Sequence, residues 1–153
     1  MSAATPDVPV TTTLPPALQE VVAGFRDAPR SLVLEMLLEY ADAVEPLPVH
    51  LADHPELLER VPECQTSFFL RAEVDEHDRT TLWFQAPPEA PTTRAFAGIL
   101  AEGLNGATAD EVLAVPDDFY LTMGLGEVIS PLRLRGMAAI LGRLKRQVRE
   151  HRL

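Results

Sequence analysis

One cysteine, one tryptophan and one lysine stand in a chain of 153 residues. The single cysteine, Cys64, excludes an internal disulfide, and it excludes any zinc or iron–sulfur site built from the cysteines of one chain. Positive charge is scarce too. Thirteen Lys+Arg face 23 Asp+Glu, a net charge of −10, which suits neither nonspecific nucleic-acid binding nor an anionic membrane. No apolar run approaches the ~18 residues of a membrane span, and the N-terminus lacks the basic-then-apolar order of a signal peptide. Gly124-Leu125-Gly126 lacks the third glycine and the strand–turn–helix setting of a phosphate loop. These absences predict a domain of a reducing, cytoplasmic compartment whose chemistry rests on few residues.

What is present is patterned. Hydrophobic residues make up 46% and charged residues 24%, as in an ordinary globular domain. Charge is segregated: residues 1–132 carry 6 basic and 22 acidic side chains, residues 133–153 carry 7 basic and 1 acidic. Residues 1–13, MSAATPDVPVTTT, read as a disordered N-terminal tail before a single domain over 14–153. Helices are expected from Pro16, with a stripe of Leu18, Val21, Val22 and Phe25, and over 29–44 with Asp27 as cap. In the second helix Leu34, Leu38 and Ala41 widen the stripe of Val33, Leu37, Tyr40 and Val44, which predicts burial on more than one side. Four prolines in 45–66 leave room for a helical turn at 56–59 and little strand pairing.

The period then changes to two. Phe68, Leu70, Ala72 and Val74 alternate with mostly polar residues, as do Leu82 and Phe84, and the polar run 75–79 joins them as a hairpin. Trp83 and Phe69 read as a cross-strand pair. Helices resume from Thr92, with Asn105-Gly106 as a stop, a capping box at Thr108-Ala109-Asp110-Glu111, and a short helix over 117–123. Ser130-Pro131 opens a last helix with a stripe of Met137, Ile140, Leu141, Leu144 and Val148. Arg143, Lys145, Arg146 and Arg149 are expected to face away from the core, near a helix end whose dipole suits them. The order is α+β: a small antiparallel sheet packed with helices.

Few residues offer chemistry. Cys64 sits in Val61-Pro62-Glu63-Cys64-Gln65-Thr66, between the proline-rich stretch and the first strand. A lone cysteine is ordinarily an inert buried hydrophobe. A loop at a strand end, stiffened by Pro62, is nonetheless where reactive groups concentrate. A Cys–His protease pairing lacks its base, because His77 lies in the hairpin turn and His151 at a fraying end. His50 and His54 are four apart, but Pro48 and Pro55 leave about one helical turn between them, too little for a metal-binding face. Arg133 and Arg135 stand in the first turns of a helix, against its dipole. Gly136 costs about 1 kcal/mol there relative to alanine, which signals close packing. A cation beside a thiol favours a thiolate or persulfide, yet the sequence does not bring Arg133 to Cys64.

Taken in order, these segments resemble the SufE sulfur-acceptor family. That family has a Val/Ile-Pro-Gly-Cys-Gln-Ser loop before a strand, matched by Val61-Pro62-Glu63-Cys64-Gln65-Thr66. It has a small-residue helix after the second strand, matched by residues 90–100, and a turn matched by Leu104-Asn105-Gly106-Ala107-Thr108. A last segment is matched by Ile129-Ser130-Pro131-Leu132-Arg133-Leu134-Arg135-Gly136-Met137. The resemblance covers residues 14–150 and departs at two places: Glu63 stands where the family usually has glycine, and Ala95 replaces a common glycine.

The resemblance implies a fold like that of iron–sulfur scaffold proteins and a sulfur carrier with no cofactor or metal of its own. Such a protein docks on a cysteine desulfurase, whose pyridoxal phosphate belongs to the partner. It stimulates that enzyme, accepts persulfide sulfur and passes it to an iron–sulfur scaffold complex. Cys64 is then the persulfide acceptor, Arg133 its cationic neighbour, and Gln65 and Glu63 supporting residues. The carrier is an accessory protein rather than an enzyme, a monomer or weak homodimer, with no nucleic-acid or membrane partner. The alternative is a non-sulfurated SufE-like regulator or binding partner of a desulfurase. Glu63 favours that alternative, since a carboxylate beside a thiol opposes its ionisation.

Overall fold

The structure, a computed structural model, describes residues 14–151; the segment 1–13 expected to be a tail lies outside them. Helix α1 (Pro16–Asp27) starts on a proline and buries Leu18, Val21, Val22 and Phe25. Helix α2 (Arg30–Asp42) follows Pro29 with no side-chain cap, and Asp27 closes α1 instead of capping α2. Val33, Leu37 and Ala41 are buried, but Leu34 and Leu38 are 59% and 53% exposed. The expected burial of α2 on a second side therefore fails. One face packs on α4 (Pro91–Leu104), and the leucines that widened the stripe lie in solvent.

The proline-rich stretch holds more structure than expected. Helix α3 (Val49–Ala52) is a single turn, Pro55–Leu57 is a 3-10 turn, and Glu59–Arg60 is an edge strand, β1. The helical turn expected at 56–59 thus ends earlier and gives way to strand. Strands β2 (Phe69–Val74) and β3 (Thr80–Gln85) complete an antiparallel sheet in the order β1-β2-β3, with Glu59 opposite Leu70 and Leu70 opposite Phe84. Phe68, Leu70, Ala72, Leu82 and Phe84 are buried, as the period of two requires. Trp83 stands opposite Arg71 and Phe69 opposite Gln85, so the expected Trp83–Phe69 pair is diagonal.

Helix α4 is buried on most of its circumference and touches α1, α2, β3 and α6 (Pro131–His151). Where it ends, Asn105 Oδ1 accepts from Leu82 N at 2.8 Å, and Thr80 exchanges backbone bonds with Gly106 and Ala107. That turn satisfies the outer edge of β3, and Gly106 takes the φ of +89° that bends the chain back. Helix α5 (Ala109–Leu113) carries the expected capping box, while the helix expected over 117–123 is a 3-10 turn, Phe119–Met123.

Helix α6 lies along β2. Its apolar stripe is fully buried, but its basic residues behave differently from expectation. Arg149 is exposed; Arg143 and Arg146 turn back onto Glu59, and Lys145 reaches the Val115 carbonyl and Asp117. His151 does not fray, because its Nδ1 lies 2.8 Å from the Ala72 carbonyl oxygen. Extended side chains on α6 find acceptors because Glu59 of β1 and the segment just after α5 lie within their reach.

Candidate functional site

The Cys64 loop is a closed turn. Val61 N donates to Phe68 O at 2.9 Å, clamping its ends, and Pro62–Cys64 forms a 3-10 turn closed by Cys64 N on Val61 O. Gln65 follows with φ of +55°, a left-handed conformation uncommon outside glycine, which turns the chain toward β2. Val61 is fully buried, whereas Glu63 and Gln65 are exposed. The loop is therefore anchored at its base, with an exposed tip.

Cys64 itself is half-buried. Its Sγ lies 4.0 Å from the Gly136 carbonyl oxygen, and a Cβ added at Gly136 would stand 3.6 Å from that sulfur. The neighbour of Gly136 is the candidate acceptor thiol, 72 residues away in sequence, but a side-chain methyl would meet it at an ordinary distance, so the close packing expected of this glycine does not require one. Beside it opens a cleft of about 590 Å³, lined among others by Glu63, Gln65, Glu89, Thr93, Leu132 and Arg133. Pro91 and Leu132, in the first turns of α4 and α6, border the same cleft, and the Arg133 backbone N–H at the start of α6 donates to Ser130 Oγ at 3.4 Å.

Cys64, Glu63, Gln65 and Arg133 thus share one cleft. Arg133 is exposed, and its Nη1 donates to Thr92 Oγ1 at 3.3 Å. The charge that acts on the thiol comes from elsewhere. Burial pushes the Cys64 thiol up to about 11, the Glu63 carboxylate adds to that, and Arg143 opposes it. In this seat the thiol, not the thiolate, is the favoured form at neutral pH. Glu63 is ionised: its own backbone N–H and then Arg143 hold its carboxyl below the usual range.

Two residues escaped the reading of the sequence. Arg143 Nη1 donates to Glu59 Oε2 at 2.7 Å, and its Nη2 lies 2.9 and 3.0 Å from the two Glu63 carboxylate oxygens. Glu59 also accepts from Gln147 Nε2 at 2.9 Å and pairs with Arg146, and Gln147 Oε1 accepts from Ala72 N. Burial raises the Glu59 carboxyl, but these donors together bring it below the usual value. A signal existed: Arg133, Gly136, Ile140, Arg143 and Gln147 recur at three- and four-residue steps, one face of one helix.

His50 pairs with Glu73 and His54 with Glu56, so the two imidazoles face different carboxylates. Among the described residues no group of three His, Cys, Asp or Glu is placed to hold a metal ion, and no helix is long and apolar enough to cross a membrane.

Relatives carry the same architecture. A solution structure of a hypothetical protein from Thermus thermophilus superposes with a TM-score of 0.81 at 46% identity, covering 90% of this chain and 97% of that one. An uncharacterized SufE-like protein of Mycobacterium tuberculosis is 50% identical over 137 residues, 90% of this chain and 94% of its own length. The chloroplastic/mitochondrial SufE-like protein 1 of Arabidopsis thaliana is 29% identical over 129 residues, 84% of this chain and 33% of the plant protein. A family model described as SufE, an Fe–S metabolism associated domain, matches residues 19–148. The chain belongs to the SufE family, and that membership supports a sulfur-transfer role in iron–sulfur metabolism.

Proposed function

We propose that this protein is a persulfide carrier that takes sulfur from a cysteine desulfurase onto Cys64, stimulates that enzyme and delivers the sulfur to an iron–sulfur scaffold. The observation that carries the reading is the placing of the chain's one thiol at the tip of an anchored turn, over a cleft bordered by two helix starts and Arg133. The chemistry needs one sulfur nucleophile and a place for an anion. Cys64 loses its proton to solvent and attacks the terminal sulfur of the donor's cysteine persulfide. A new S–S bond forms at Cys64, the donor's S–S bond breaks, and the donor cysteine leaves as thiolate. The transferred sulfur keeps its oxidation state, so no oxidant or reductant enters. In this reading Arg133, on the lining of the cleft, neutralises the anionic persulfide, and Gln65 turns the loop. The pyridoxal phosphate that makes the donor persulfide belongs to the desulfurase.

A second reading, a regulator that binds a desulfurase without accepting sulfur, draws on the thiol pushed up to about 11 and on Glu63 beside it. Intact-mass analysis after incubation with a cysteine desulfurase and free cysteine separates the two. The carrier gains the mass of a sulfur atom, which a thiol reductant removes and Cys64→Ser abolishes without altering thermal stability. Unchanged mass with faster desulfurase turnover establishes the regulator and overturns the carrier.

A further inference from the structure

Sulfur acceptance requires a thiolate, yet the resting loop keeps Cys64 protonated and against α6. One side chain, Arg143, bridges this loop to the body of the protein through Glu63. The two ends of its bridge differ. Toward the body it donates to Glu59, whose side chain is 23% exposed and is held in turn by Gln147 and Arg146. Toward the loop it grips Glu63, 51% exposed at the tip. The inner end is fixed, and the outer end is a solvent-accessible ion pair, weak enough to exchange partners. Glu63 precedes Cys64 directly, so gripping the one seats the other against Gly136.

We propose that Arg143 is the positioning residue of the Cys64 loop: it latches the loop to α6 through Glu63, and a basic side chain of the sulfur donor opens the latch by taking the Glu63 carboxylate, leaving Arg143 as counter-ion of the Cys64 thiolate. The inference rests on the carrier reading. Charge complementarity points to a basic opener, because Glu63 and Glu89 are both exposed carboxylates lining the cleft and the chain as a whole carries −10. The charged groups around Cys64 are Glu63 on its own loop, Glu59 on β1, Glu89 before α4, and Arg133 and Arg143 on α6. Of these, Glu63 and Arg143 act on the thiol in opposite directions, and the resting pair sets them against each other.

The pH dependence of Cys64 alkylation by iodoacetamide, measured on the full chain, tests the latch, since each unit of thiol pKa changes the rate about tenfold below the midpoint. Glu63→Gln should move the profile to lower pH and alkylate about tenfold faster near neutrality. Arg143→Met lets go of Glu63, so Cys64 should leave its buried seat and the profile should move to lower pH, while Arg143→Lys, which keeps the grip, should stay near wild type. In the Glu63→Gln background, where only the counter-ion role is left, Arg143→Met should move the profile to higher pH. A lysine-rich peptide at low salt, standing in for the donor's basic side chain, should quicken wild type and leave Glu63→Gln unmoved. Coincident profiles, or an Arg143→Met variant with a lower melting temperature and no displacement, overturn the latch, and absence of peptide acceleration overturns the partner exchange. Should Arg143→Met not fold, Glu63→Gln and Arg143→Lys carry the same comparison. Desulfurase-driven loading of wild type separates the two readings: no loading removes the carrier, whereas loading with coincident profiles removes the latch alone.

Discussion

Arg133 and Arg143 lie ten positions apart on α6 and stand to Cys64 in different ways. Arg143 acts on the resting thiol, while Arg133, exposed and donating to the Thr92 hydroxyl, lines the cleft where a transferred sulfur would lie. Arg133→Ala should therefore leave alkylation of the resting thiol almost unchanged and slow persulfide loading on the order of tenfold, the worth of one charge-assisted contact of about 1.5 kcal/mol. Loading kinetics under excess desulfurase measure the effect free of affinity. Weaker desulfurase binding with a normal loading rate at saturation would move Arg133 to the docking surface. The sequence pointed at Arg133 and Arg135 because a cation against a helix dipole lacks a local reason to be there, and the family resemblance then singled out Arg133. It missed Arg143 for the converse reason: a cation in the later turns of a helix already has one.

At the scale of elements, two helix glycines have opposite surroundings. A methyl at Gly98 of α4 would overlap the backbone carbonyl of Tyr40 on α2, and neither atom can rotate away. A methyl at Gly136 of α6 meets the Cys64 sulfur at 3.6 Å, an ordinary contact. Gly98→Ala should cost about 1–3 kcal/mol by forcing the two helices apart. Gly136→Ala should be neutral or gain up to about 1 kcal/mol of helix propensity. Urea midpoints of the two variants compare them directly, and equal midpoints would mean that α2 and α4 do not cross so closely. The helices, the hairpin and the capping box were legible because their periods and caps repeat over enough residues to identify them. Strand β1 was not, since two residues carry no period and the flanking prolines argue for loop. The exposure of Leu34 and Leu38 was hidden for a related reason: composition tells how wide an apolar stripe is, not whether a second element covers it.

For the whole molecule, the segregated charge becomes a structural device. The basic C-terminal helix is docked on an acidic body through Arg143 and Arg146 on Glu59, Arg143 on Glu63 and Lys145 on Asp117. Glu59 is the node, mostly shielded from solvent and so little screened by salt. Its carboxyl ionises below the usual value in the folded chain, which means that folding favours the charged form. That contribution is fully present above the ordinary glutamate pKa and is lost as pH falls through the folded value. Glu59→Gln keeps the shape and removes the charge. It should lower stability by about 1–3 kcal/mol at neutral pH, because hydrogen bonds from Arg143, Arg146 and Gln147 lose their ionised acceptor. As wild-type Glu59 protonates in acid, the two proteins become chemically alike at this node, so the gap between their urea midpoints should close. A gap that stays constant from neutrality into acid would assign the loss to packing rather than charge, and α6 would then be held by its apolar stripe alone. A closing gap would tie the seat of Cys64 to the same charges that dock the helix, since Arg143 reaches Glu63 only from the position that Glu59 fixes.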